Sequence, residues 1–281
     1  MEVIKAIILG IIQGLTEFLP VSSSGHIELG KVVLNYDAGE TSLLFTVVLH
    51  CATVLSTIVV FRKDILEILK GLFAFKWNEE TQFAMKILIS MIPVGIVGVL
   101  FESQIEAFFN KNLLLVGLML WFTGCLLYLT GYVEKRQQSG KPLALFTATE
   151  KDKKVSFTDA LIIGIMQAVA VMPGISRSGS TIATGLLLGV DKSRIARFSF
   201  LMVLPPILGA TLLKLKDYME APQASIDVIP LTAGFVAAFI SGLFACMWMI
   251  ELVKRGKLIY FAIYCFIVGA IAIGYSLLTL N

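Results

Sequence analysis

The chain has 281 residues, of which 57% are apolar and 15% charged, with a mean hydropathy of +0.86 and a formal net charge of +3. That mixture excludes an ordinary soluble domain, and so small a positive balance offers nothing for nucleic acid to bind. Cys51, Cys125, Cys246 and Cys265 all fall in apolar stretches without metal-ligand spacing, so they read as small packing residues rather than a disulfide framework.

Lys5 and the apolar run 6–12 mimic the start of a secretory signal. Glu17 and Pro20 follow, however, and no small-x-small cleavage site appears, so this segment is expected to stay in the mature protein. Residues 3–34 instead read as an interrupted apolar helix. Gly10-x-x-Gln13 leads to Pro20, then to a Ser22-Ser23-Ser24-Gly25 tip, and the apolar pattern resumes. Runs near 43–61, 84–101 and 113–133 are each about 20 residues, enough to cross a bilayer core of about 30 Å. A polar stretch, 134–156, reads as a cytoplasmic linker. Residues 157–190 then repeat the first device: Gly164-x-x-Gln167, Pro173, and a Ser176-Arg177-Ser178-Gly179 tip. In both copies the first Ser lies nine residues after Gln and the Gly twelve. Three more spans follow near 195–215, 228–251 and 258–280, the last two joined by Lys254-Arg255-Gly256-Lys257. Glu251 is expected to pair with Lys254 or Arg255, and Pro93, Pro205 and Pro206 to kink their helices.

If each interrupted segment enters and returns on one face, the fold is all-α, with six transmembrane helices and two re-entrant hairpins in a single membrane domain, 1–281. Of the 23 Lys and Arg residues, 18 then fall on one face and 5 on the other, which makes the rich face cytoplasmic and puts both termini outside. Each half, 1–133 and 157–281, has one hairpin followed by three spans. Three is odd, so the halves are an inverted repeat whose tips can meet at mid-depth.

Polar groups at that depth cost several kcal/mol unless satisfied, so Glu17, His26 and Arg177 are candidates for function. Gln13 and Glu17 share a helical face and could hold a divalent cation with substrate oxygens. His26 follows Ser22 and Ser23 by four and three residues, a spacing that suits a serine–base pair. Gly25 permits close backbone approach, and the half-helix starting there presents unpaired N–H groups to an anion. The second tip adds Ser176, Ser178, Gly179 and Thr181 beside Arg177, whose guanidinium suits bidentate phosphate contact. His50, within the first span, reads as a packing residue or a support for the site.

The stretch Gln13–His26, with Pro173-Gly174-Ile175-Ser176-Arg177-Ser178-Gly179, resembles the undecaprenyl-diphosphatase family, also called bacitracin-resistance proteins, over essentially the whole chain. The resemblance implies a multi-pass phosphatase of the bacterial inner (plasma) membrane. It would convert undecaprenyl diphosphate to undecaprenyl phosphate and inorganic phosphate, recycling the lipid carrier of cell-wall synthesis. It assigns catalysis to Glu17, Ser23, His26 and Arg177, and substrate binding to Gln13, Ser22, Ser24, Gly25, Ser176, Ser178, Gly179 and Thr181. It also implies a divalent cation, Mg²⁺ or Ca²⁺, at Glu17 and Gln13. The family's acidic pair is often Glu-x-x-x-Glu; here its first member is the neutral Gln13. Either Ser23 or water serves as nucleophile, with His26 as base. The polyprenyl diphosphate would reach the site from the outer face, its tail left in membrane lipid. A homo-oligomer is compatible with the sequence. The rival reading is a polyprenyl-phosphate transporter, since inverted repeats with broken helices are also transporter architecture.

Overall fold

A computed structural model describes residues 2–34, 42–101, 113–139, 152–220 and 228–279, and every element among them is helical. The first hairpin is α1 (Glu2–Phe18) and α2 (Ser23–Val33). Next come α3 (Ser42–Val60), α4 (Arg62–Phe73), α5 (Glu79–Leu100) and α6 (Leu113–Gln138). The second hairpin is α7 (Phe157–Val169) and α8 (Arg177–Leu187). It is followed by α9 (Lys192–Met202), α10 (Leu204–Glu220), α11 (Val228–Lys254) and α12 (Ile259–Thr279). Five of these runs, with α9 and α10 counted as one, are long and apolar enough to cross a bilayer, and α3 with α4 makes a sixth if taken as one bent span. Their outer faces expose Leu, Ile and Phe, as on α11 at Ile240 and Phe244 and on α12 at Ile263 and Ile271. An apolar exterior is what lipid, not water, selects. The protein is a multi-pass helical membrane protein.

Small residues set the packing. A Cβ on Gly10 would lie 2.4 Å from the Gly234 carbonyl oxygen of α11, and one on Gly164 would lie 2.4 Å from that of Ser90 on α5. Only glycine lets each hairpin's first arm press against a long crossing helix so closely. Thus α1 packs on α11 and α7 on α5, while α6 packs along α12. The main apolar cluster, with Ile163, Ile182, Ile195, Phe198, Met202 and Met249, surrounds the second hairpin and α9.

Element ends follow local chemistry. Asn78 caps α5 by accepting from the Thr81 N–H at 2.8 Å, and Ser156 with Asp159 forms a capping box on α7. Asp191 caps α9 through Ser193 and Arg194. Three boundaries differ from the sequence reading. The helix expected over 113–133 runs on to Gln138, because Lys135 and Arg136 suit a helix C-terminus and Arg136 donates back to Tyr132 at 3.0 Å. The rest of the expected linker, from 140 to 151, lies outside the described residues, as do Lys111, Lys141 and Lys151 of the charge count. The span expected over 195–215 starts at Lys192 and breaks at Val203, just before Pro205 and Pro206; Pro93, in contrast, sits inside an unbroken α5. Helix α4 was not foreseen: it turns 75° from α3, and none of its side chains is fully buried, Ile65 and Ile68 resting partly covered against the main cluster. Glu251 pairs with Arg255 at 2.8 Å, as expected.

Candidate active site

The two broken helices meet tip to tip. Ser22 caps α2 and Ser176 caps α8, each hydroxyl accepting from the glycine N–H three residues on: Gly25 at 3.3 Å and Gly179 at 3.1 Å. Those glycines are where the hairpins touch. A Cβ on Gly179 would lie 3.0 Å from Cβ of Pro20, and one on Gly25 would lie 3.5 Å from Cα of Gly174. Gly174 itself has φ +96°, a left-handed turn that favours glycine. Across the seam, Ser178 Oγ donates to the Leu19 carbonyl at 3.4 Å.

At the seam lies an ion pair between Arg177 Nη2 and Glu17 Oε1, with the acid side chain only 6% exposed. The other carboxylate oxygen, Oε2, accepts from Ser23 Oγ at 2.6 Å and from Gln13 Nε2 at 3.0 Å. This follows from helical geometry, since Gln13 and Glu17 are one turn apart on α1 while the Pro20 turn folds Ser23 back over Glu17. Ser24 Oγ lies 3.3 Å from Ser22 Oγ, and Ser176 Oγ lies 3.3 Å from Ser178 Oγ. Thr181 donates to the Arg177 carbonyl at 2.9 Å and meets Ser199 at 2.6 Å, bracing the start of α8. A cavity of about 220 Å³ opens on this cluster, lined by Glu17, Ser23, Ser24, Ser176 and Arg177.

One expected partner is elsewhere. The His26 ring does not reach the Ser23 hydroxyl: Nδ1 donates to the Ser22 carbonyl at 2.8 Å, and Nε2 meets Tyr264 Oη at 2.8 Å with the two rings stacked. A side chain in the first turn of a helix points back along the axis, so its nearest acceptor is the carbonyl four residues earlier. The imidazole that does line the cavity is His50 of α3. Its Nδ1 donates to the Thr46 carbonyl at 2.9 Å, which turns Nε2 toward Glu17 Oε2, 3.8 Å away. Gln167 and Val171, from the second hairpin, line it too. His50 carried no spacing signal, because its nearness to Glu17 depends on how α3 packs on α1.

The donor set is poor for a resident divalent cation. Among the described residues Glu17 is the one carboxylate lining the cavity; one of its oxygens faces a guanidinium and the other takes two hydrogen bonds. Among the described residues no three of His, Cys, Asp or Glu gather to hold a metal. A cage of the kind Mg²⁺ or Ca²⁺ needs is missing from the side chains that line the cavity.

A polar pocket joining an acid to a guanidinium, enclosed by two broken hairpins within a lipid-facing bundle, belongs to membrane proteins that handle an anionic group inside the bilayer. The chain is a member of the family described as Bacitracin resistance protein BacA, whose profile matches residues 6–271. It is 58% identical to a protein of Christiangramia forsetii named Undecaprenyl-diphosphatase, over 97% of this chain and 98% of that one. A Bacteroides fragilis protein of the same name is 53% identical over the same shares. One from Methanobrevibacter smithii is 40% identical over 96% of each.

Proposed function

We propose that the cavity at the hairpin seam is where this protein dephosphorylates undecaprenyl diphosphate, and that Ser23 is the nucleophile. The protein is an undecaprenyl-diphosphatase: it releases inorganic phosphate and returns undecaprenyl phosphate, the lipid carrier, to cell-wall synthesis. The family's name ties the same activity to bacitracin resistance. The observation that carries the site assignment is Ser23 Oγ held 2.6 Å from Glu17, whose other oxygen engages Arg177.

In the resting site the guanidinium and the carboxylate neutralise each other. An arriving diphosphate takes Arg177 for its own oxygens, which frees Glu17 to accept the Ser23 proton as Oγ attacks the terminal phosphorus. The bond from that phosphorus to the bridging oxygen breaks, and undecaprenyl phosphate leaves with the electron pair. Water then cleaves the phosphoserine, Ser23 regains its proton from Glu17, and inorganic phosphate departs. The first N–H groups of α2 and α8 have no partner within their helices, and both half-helices start at the seam, so their dipoles favour the same anion. Positioning and charge neutralisation supply most of the catalysis in such transfers. No step needs a cation at Glu17; a divalent ion enters this reading only as a counter-ion of the diphosphate.

The surrounding architecture is read as an inverted repeat of 1–133 and 157–281, supported by the matched packing of α1 on α11 and α7 on α5. On that reading six spans cross a bacterial plasma membrane, and two re-entrant hairpins enter it from opposite faces. The positive-inside bias favours both termini outside and substrate access from the outer face.

The test is phosphate release from farnesyl diphosphate by purified protein in detergent, with rapid quench to trap phosphoserine. Wild type should release phosphate and show a covalent intermediate; Ser23→Ala should lose both, by about 10³-fold or more in rate. Turnover without a trapped intermediate, and with inversion at a chiral phosphorus, would give the nucleophile's role to water. Lipid binding without phosphate release would favour transport.

A further inference from the structure

The motif Gly-x-x-Gln occurs in both hairpins, yet only the first glutamine has a hydrogen-bond partner among the described residues, through Nε2 alone, its Oε1 being unpaired. Gln13 donates to Glu17. Its counterpart Gln167 is 1% exposed, and neither Nε2 nor Oε1 has a hydrogen-bond partner among the described residues. A buried amide left wholly unpaired is costly, and such groups in folded proteins call for an explanation. Packing does not supply one, because an unbranched apolar side chain would fill the same space without the penalty. Position does: Gln167 lines the same cavity as Glu17, Ser23, Ser24 and Arg177.

We infer that Gln167 is a substrate-binding residue whose Nε2–H donates to a terminal phosphate oxygen of the diphosphate. The inference rests on the phosphatase reading above. The ligand that satisfies this amide must be rich in acceptors, since the other cavity groups that engage it are a guanidinium and hydroxyls. It must also bring a hydroxyl for Oε1, which a protonated phosphate oxygen or its attendant water supplies. Arg177 and Gln167 come from the same hairpin, one from each side of its tip, so together they hold the phosphate against Ser23 of the other hairpin. Gln13, buried on the other hairpin, donates to Glu17 Oε2 and keeps the acid in place.

Binding of a non-hydrolysable farnesyl methylenediphosphonate to the full-length protein in detergent tests this, with thermal melting and phosphate release measured alongside. Gln167→Met, close in shape but without donor or acceptor, should weaken binding about 10- to 100-fold. It should raise KM in step and leave kcat closer to wild type. The melting temperature of the ligand-free variant should hold or rise, because an unpaired amide has been removed. Gln167→Glu, which sets a carboxylate against the phosphate, should bind more weakly still. Wild-type affinity in either variant overturns the inference, as does a Met variant that melts lower yet binds normally, which would mark the amide as structural. If Gln167→Met fails to fold, Gln167→Glu decides by the same affinity criterion. A wild type that neither binds the analogue nor releases phosphate removes the phosphatase reading as well; normal turnover with indifferent variants removes this inference alone.

Discussion

At the first hairpin tip the capping Ser22 sits at φ 69°, and the residue after it aims a hydroxyl at Glu17; at the second tip Ser176 caps at φ −76°, and the residue after it is Arg177. Both caps satisfy the N–H of a glycine three residues on, and both glycines sit where the hairpins abut. The scaffold is therefore duplicated while its charge is divided. Acid and hydroxyl lie on one tip and guanidinium on the other, so the reacting centre exists only where the two meet. Neither half of the chain could assemble it alone, which ties activity to correct packing of the repeat interface.

The sharpest way to break this division is to remove its two charges separately and together. Arg177→Gln should cut phosphate release by about 10³-fold or more, since the transferred group loses its guanidinium. It should also cost about 3 kcal/mol of stability, because Glu17 is left buried without its counter-charge. Adding Glu17→Gln should recover most of that stability in thermal melts while phosphate release stays lost. If the double variant melts no higher than Arg177→Gln, the pair does not face itself at the seam in the way described.

What the sequence made legible was the part carried by residue type and spacing. Ser, Gly and Pro inside apolar runs marked both tips, and equal intervals from Gln to Ser to Gly showed that they were copies. The ion pair across them was also foreseeable, because a buried Glu and a buried Arg in one membrane protein need each other. The choice of imidazole was not. His26 lies near the serines along the chain, but its ring turns back to its own helix and to Tyr264. His50, far along the chain, is brought to Glu17 by the packing of α3. Helix α4 was not legible for a different reason: Ile65, Ile68, Leu69 and Leu72 have helical spacing, but the 12-residue segment that holds them is too short and too charged to read as a span.

The two histidines offer the next comparison. His50→Leu should lower phosphate release about 10- to 100-fold with the melting temperature unchanged, because the ring faces the cavity and holds little of the fold. His26→Phe keeps the stack on Tyr264 but loses both hydrogen bonds, so its fall in activity should come with a stability loss of about 1–2 kcal/mol. Tyr264→Phe should reproduce part of both effects. A His26 variant that melts like wild type yet releases no phosphate would return the proton-transfer role to His26.

The smallest effect concerns the caps themselves, and here the tips should differ in sign. Ser176 has ordinary extended backbone, so Ser176→Ala should cost about 1 kcal/mol and Ser176→Gly a few tenths. Ser22 adopts a positive φ that side chains avoid, and such strain costs of order 1 kcal/mol or more. Ser22→Gly gives up the cap hydroxyl but releases that strain, so thermal melts should show it equal to wild type or more stable. Ser22→Ala loses the cap and keeps the strain, and should be the less stable of the two by about 1 kcal/mol or more. Phosphate release by Ser22→Gly should nevertheless fall, because the same backbone conformation holds Ser23 against Glu17 and glycine would let it relax. Of the two capping serines only Ser22, on the tip that carries the nucleophile, is strained, and that strain then has a use: it keeps the hydroxyl aimed before any substrate arrives.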